Sequence, residues 1–128
     1  MNNLNEQQYN NGDQENYRQI MMLLQDYFDG LYEADIEKLK TIFHPDTVLK
    51  ANGLRRGRDE WLDAVVSRPV PKAAGMSYDF TIISIEIIND QAMAKVDVPL
   101  LAGHYIDYLG LLKEGGKWRI VNKMYTTI

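Results

Sequence analysis

The sequence predicts an α+β domain, with three helices packed on one face of a mostly antiparallel sheet. Two observations carry that prediction. Apolar residues recur at helical spacing through the first half of the chain, and the period changes to two after residue 77. A third supports it: the later apolar runs are joined by links as short as "ND", "AG" and "EGG", which suit antiparallel hairpins.

From Glu15 to Ala34, Tyr17, Ile20, Met21, Leu24, Phe28 and Leu31 form one apolar stripe, widened by Leu23 and Tyr27. This is a long amphipathic helix with one buried face. Asp35 caps a second, short helix that turns Ile36, Leu39 and Phe43 inward, and "HPD" at 44–46 stops it. "TVLKA" reads as a short strand and "NGLRRG" as a turn-rich link. A third helix follows Gly57, with Asp59 as its expected cap and Trp61, Leu62, Val65 and Val66 facing in. "SRPVPKAAGMS" at 67–77 is a loop, because two prolines and Gly75 exclude helix and central strand. Strands are expected over 78–88, 92–101, 104–112 and 117–127. In the first of these both alternating sets are apolar: Tyr78, Phe80 and Ile82 against Ile83, Ile85 and Ile87. Both sheet faces should then be covered, one by helices and the other by a second copy of the chain, so a homodimer through the outer sheet face is expected.

At 128 residues the chain suits one domain, read as a flexible polar tail over 1–14 followed by the folded domain over 15–128. The balance of 14 basic against 18 acidic residues, with no basic run beyond "RRGR" at 55–58, argues against a nucleic-acid partner. No apolar run approaches the ~20 residues that span a bilayer, and the first residues lack the pattern of a signal peptide, so a cytoplasmic protein without a membrane partner is expected. There is no cysteine, and His44 and His104 lie too far apart for a local metal motif. No metal site, cofactor, nucleophile elbow or phosphate-binding glycine loop is read from the chain.

"YFDGLYEADIEKLKTIFHPDTVL" at 27–49, "GRDEW" at 57–61 and "YIDYLGLLKEGGKWRIVNKMY" at 105–125 resemble the NTF2-like superfamily, which includes ketosteroid isomerase, scytalone dehydratase and the SnoaL-like cyclases. Within it the pattern looks most like the small bacterial proteins labelled "putative lumazine-binding". The resemblance covers roughly residues 15 to 127 and implies a cone: a curved sheet around a long helix, enclosing a cavity, with dimers through the outer sheet face. It implies a cavity lined by Tyr27, Trp61, His104, Tyr108, Lys123 and Tyr125, and a planar, partly polar, pterin-like ligand. Such folds host unrelated activities. Tyr27 stands where the steroid isomerase has its helix tyrosine, but the isomerase's shuttling base falls on Lys50 and its sheet acid on Tyr108. Steroid isomerisation by that mechanism is therefore rejected.

The residues and the resemblance together leave three functions open. The first is a small-molecule-binding protein using the six lining residues. The second is a cofactor-independent isomerase, dehydratase or cyclase in which His104 acts as acid or base and Tyr27 or Tyr108 as oxyanion donor. The third is a dimeric interaction module. Asp107 and Tyr108 are neighbours in one strand and face opposite ways, and Tyr108 is expected inward, alongside His104 and Ile106. Asp107, paired with Arg119 or Lys123, is then expected to face a partner subunit. His44 has a simpler role, capping the helix before it. Lys50, Lys95 and Lys123 are candidates for holding an anion, and two inward lysines would depress each other's charge. In the last strand Trp118, Ile120, Asn122 and Met124 face one way and Arg119, Val121, Lys123 and Tyr125 the other. Both sets mix polar and apolar residues, so alternation alone does not choose between them. The resemblance implies the second set inward, because Tyr125 aligns with a pocket aromatic of the steroid isomerase, unless a bulge intervenes.

Overall fold

The computed structural model describes the backbone of residues 3–128 and the side chains of residues 14–128. The expected flexible tail falls largely outside the described side chains, although helix α1 already starts at Asn3 and runs to Glu33. Its buried stripe, Ile20, Leu23, Leu24, Tyr27, Phe28 and Leu31, follows most of the expected spacing and lies along the centre of the core, whereas Tyr17 and Met21, expected in the stripe, are exposed. Ala34 adopts a left-handed conformation (φ 53°) that ends the helix, and the Asp35 N–H donates to the Gly30 carbonyl at 2.9 Å. A Cβ on Gly30 would come within 2.6 Å of a Leu39 methyl, so the glycine lets α2 sit directly against α1.

Helix α2 (Ile36–Ile42) begins as expected, with the Asp35 carboxylate accepting the Lys38 N–H at 3.1 Å. Strand β1 (Phe43–Ala51) starts earlier than the proline suggested. His44 therefore lies in a strand, where its Nδ1 takes the Asp46 N–H at 3.1 Å, and it does not cap the helix. "LRRG" forms a four-residue strand, β2 (Leu54–Gly57), where a link was expected. Helix α3 (Arg58–Ser67) has Gly57 at its N-cap position with no side-chain cap, and Asp59, the expected cap, instead accepts from Arg58 Nε at 3.0 Å.

Strands β3 (Thr81–Ile88), β4 (Gln91–Leu100), β5 (Gly103–Glu114) and β6 (Lys117–Thr127) follow. The six-stranded sheet has the order β2-β1-β6-β5-β4-β3, with β1 parallel to β6 and every other pair antiparallel. Gly115 and Gly116, both at positive φ (57° and 77°), make the β5–β6 turn, a conformation that favours glycine at both positions.

Two bulges decide which side chains enter the core. In β3, Ile82 opposes Val96 and Ser84 opposes Lys95, leaving Ile83 as the extra residue. Ile82, Ile85 and Ile87 therefore share the inward face, while Ile83 and Ile88 point to solvent. This corrects the expectation that Ile82 and Ile85 lie on opposite faces. In β6, Ile120 opposes Leu111 and Asn122 opposes Gly110, so Val121 is the extra residue. Both Trp118 with Ile120 and Lys123 with Tyr125 then turn inward, because the bulge changes the alternation between them.

Candidate functional site

A cavity of about 70 Å³ opens at one end of the cone. Leu31, Trp61, Asp107 and Lys123 are buried and form its closed end, whereas Arg56, Arg68, Tyr105 and Tyr125 are half-buried and form its mouth. Helix α1 supplies Leu31, with Tyr27 one layer behind the lining against Asp107 and Lys123, and α3 supplies Trp61. Strand β5 supplies Asp107, and the stretch of β6 after its bulge supplies Lys123 and Tyr125.

Tyr27 is fully buried and its hydroxyl donates to Asp107 Oδ2 at 2.5 Å. Burial first, then the Asp107 charge, push the phenol well above its ordinary value, so Tyr27 stays a donor. Lys123 Nζ lies 3.8 Å from the same carboxylate oxygen. The rings of Trp61, Tyr125 and Tyr27 surround it at 4.6, 5.1 and 5.3 Å from their centroids. Burial is the main reason the Lys123 ammonium is lowered to about 8; Asp107 opposes the shift, and Arg68 and Arg56 add to it. An amine so placed is substantially neutral at mildly alkaline pH, which an ordinary surface lysine is not.

The mouth is cationic. Arg56 donates to the Tyr125 hydroxyl at 3.1 Å, but its buried Nε has no partner among the described residues. Arg68 likewise meets no carboxylate there, and burial lowers its guanidinium from its usual value. Against Arg56, Arg68 and Lys123, the cavity lining offers one carboxylate, Asp107.

Of the six residues expected to line the cone, the structure brings four together: Tyr27, Trp61, Lys123 and Tyr125. His104 does not join them. It is exposed, and Nε2 pairs with Asp97 on the neighbouring strand. Tyr108 is also exposed, on the outer sheet face, with Lys95 Nζ 5.8 Å from its ring centroid. The alternation of β5 puts Asp107 inward instead, so the preference for an inward Tyr108 is reversed and Asp107 faces the cone, not a partner subunit. Lys50 bonds Asn122, leaving Lys123 as the lysine of the cavity. Sequence reasoning missed Arg56, Arg68 and Tyr105; Arg56 was hidden in a presumed link and Arg68 in a presumed loop. The run "RRGR" followed by "SR" was the available signal.

A long helix wrapped by a curved, unclosed sheet is the architecture of an NTF2-like protein. The chain superposes on an NTF2-like protein of unknown function from Silicibacter pomeroyi with a TM-score of 0.77 at 24% identity, covering 91% of this chain and 98% of that one. A second NTF2-like protein of unknown function, from Shewanella baltica, gives 0.77 at 24% identity over 89% and 94% of the two chains. A de novo designed protein with a curved β-sheet gives 0.62 at 18% identity over 88% and 98%. These likenesses establish the fold. The chain belongs to the family described as "Putative lumazine-binding", whose model matches residues 15–126. Nothing among curated proteins matches it. No helix among the described residues is long and apolar enough to cross a membrane.

Proposed function

We propose that the cone binds a small organic anion, with Arg56 and Arg68 taking its charged end and Trp61, Tyr105 and Tyr125 walling the remainder. The observation that carries this reading is the pair of guanidiniums at the mouth of a cavity whose one carboxylate, Asp107, is engaged by Tyr27 and Lys123 and pairs with neither arginine. Buried or half-buried charges without partners are costly, and a bound carboxylate would supply the missing bidentate acceptor. The family description suggests a lumazine. A bicyclic ring exceeds a cavity of about 70 Å³, given that benzene occupies an engineered cavity of about 150 Å³. A carboxylate of a few heavy atoms fits better.

Calorimetry with pyruvate, glyoxylate and lumazine tests the reading. Binding is expected for the small carboxylates, and Arg68→Ala is expected to weaken it about tenfold to a hundredfold, the worth of one charge-assisted contact. Binding of lumazine alone, or equal affinity in the Arg68→Ala protein, would overturn it.

We also infer that the outer sheet face pairs with a second copy. Met93, Tyr108, Leu112 and Met124 are between 36% and 46% exposed and adjoin one another there, Tyr108 directly opposite Met124. Light scattering after gel filtration should give a dimer for the native chain and a monomer for the Tyr108→Glu/Met124→Glu double variant. A native monomer would refute the pairing.

A further inference from the structure

We propose that Lys123 is a reactive amine that forms a reversible imine with a small 2-oxo acid. This deepens the anion-binding reading and rests on it for the carboxylate end of the substrate.

Four observations converge on that assignment. First, the Lys123 side chain is almost wholly buried, yet it lines a cavity that opens to solvent. Second, its nitrogen accepts and donates no hydrogen bond among the described residues: its nearest charged neighbour, Asp107, is 3.8 Å away, and the remaining surroundings are aromatic rings. The nitrogen is thus within ion-pair reach of Asp107 but beyond hydrogen-bond distance, so it stays open towards the cavity it lines. Third, two cations share that cavity, and desolvation together with neighbouring positive charge is the established way to keep a lysine amine free for carbonyl chemistry. The lowering of Lys123 to about 8 agrees with that geometry. Fourth, the volume suits an oxo acid of a few heavy atoms, whose carboxylate would face Arg56 and Arg68 while its carbonyl carbon faces Lys123.

The chemistry balances without an outside reagent. The Lys123 ammonium passes one proton to Asp107, and the neutral amine adds to the carbonyl carbon. The C=O π bond opens to an alkoxide, which takes one proton from the newly cationic nitrogen to give the neutral carbinolamine. Asp107 returns its proton to the hydroxyl, which leaves as water while the nitrogen lone pair closes the C=N bond. The net change is ammonium plus carbonyl giving iminium plus water. Tyr27, donating to Asp107 Oδ2, holds the carboxylate in position for both transfers and is a positioning residue.

The test is reductive trapping on the full chain. The protein is incubated with pyruvate or glyoxylate and cyanoborohydride, then analysed by intact mass and peptide mapping. The expected result is a single adduct on Lys123, formed at least about tenfold faster than on exposed lysines such as Lys40 or Lys117, and absent in Lys123→Arg. Because the map is read on the native chain, the result stands whether or not a variant folds. Modification spread evenly over the lysines would overturn the proposal. Stabilisation by pyruvate without an adduct would remove the covalent step and leave anion binding intact. Equally fast trapping of neutral acetaldehyde would keep the amine but overturn the oxo-acid assignment and, with it, the role of the two arginines.

Discussion

Replacing Asp107 by alanine is expected to cost about 3–5 kcal/mol of stability, the usual penalty for removing one partner of a buried ion pair. Asp107 is 1% exposed and is the acceptor for the Tyr27 hydroxyl as well as the counter-charge of Lys123. Its loss strands a fully buried phenol donor and a buried ammonium together. The effect should depend on pH with a definite sign. Asp107 is the one neighbour that raises Lys123, so without it the amine falls further below about 8. The variant's ammonium is then penalised most at low pH, and the deficit against the native protein shrinks as pH rises and the native lysine also sheds its proton. Urea unfolding at pH 6 and pH 9 measures both quantities. A loss below about 1 kcal/mol at pH 6 would mean that the pair is solvated and that the buried geometry described above is wrong. Adding Lys123→Met to the variant should recover part of the stability, since the stranded charge is then gone.

Replacing Trp61 by alanine is expected to cost a comparable 3–5 kcal/mol, through cavity formation. Trp61 is 3% exposed and its ring packs on Phe43 with centroids 5.0 Å apart. It is also the ring nearest the Lys123 nitrogen. Removing it admits water to the closed end of the cone, so the lysine should move back towards its ordinary value as the desolvation that lowers it is relieved. Thermal unfolding reads the first effect and an NMR titration of Lys123 the second. Trp61→Phe should restore most of the stability. A fully stable Trp61→Ala protein with an unmoved lysine would remove the indole from any account of the site.

The fold was legible because it is written in periodicity. The buried part of the α1 stripe, the Asp35 cap and the glycine turn at 115–116 each follow from local rules, and each appears where those rules place it. The site was legible only in part. Tyr27 and Trp61 follow from helical spacing against a core, and helices preserve their phase over several turns. Strand phase is more fragile, because one extra residue reverses every later side chain. That is why the outward Ile83 and the double inward set of β6 were not readable. His104 and Tyr108 were placed inward because titratable and aromatic residues look functional when grouped, but pairing across the sheet decides orientation, and it turned Asp107 inward instead. Arg56 and Arg68 escaped notice because a four-residue strand and a loop carry no periodic signal.

The bulge at Val121 has a consequence for comparing relatives. Upstream of it β6 serves the packed interior through Trp118 and Ile120; downstream it serves the cavity through Lys123 and Tyr125. One supernumerary residue thus separates two jobs on a single strand, and either can drift without dragging the other. A gapless alignment across that point would misreport the cavity of any relative that lacks the insertion, trading its inward residues for outward ones. Homologues should therefore be sorted first by whether they keep a residue at this hinge in phase, and only afterwards by whether they keep the lysine.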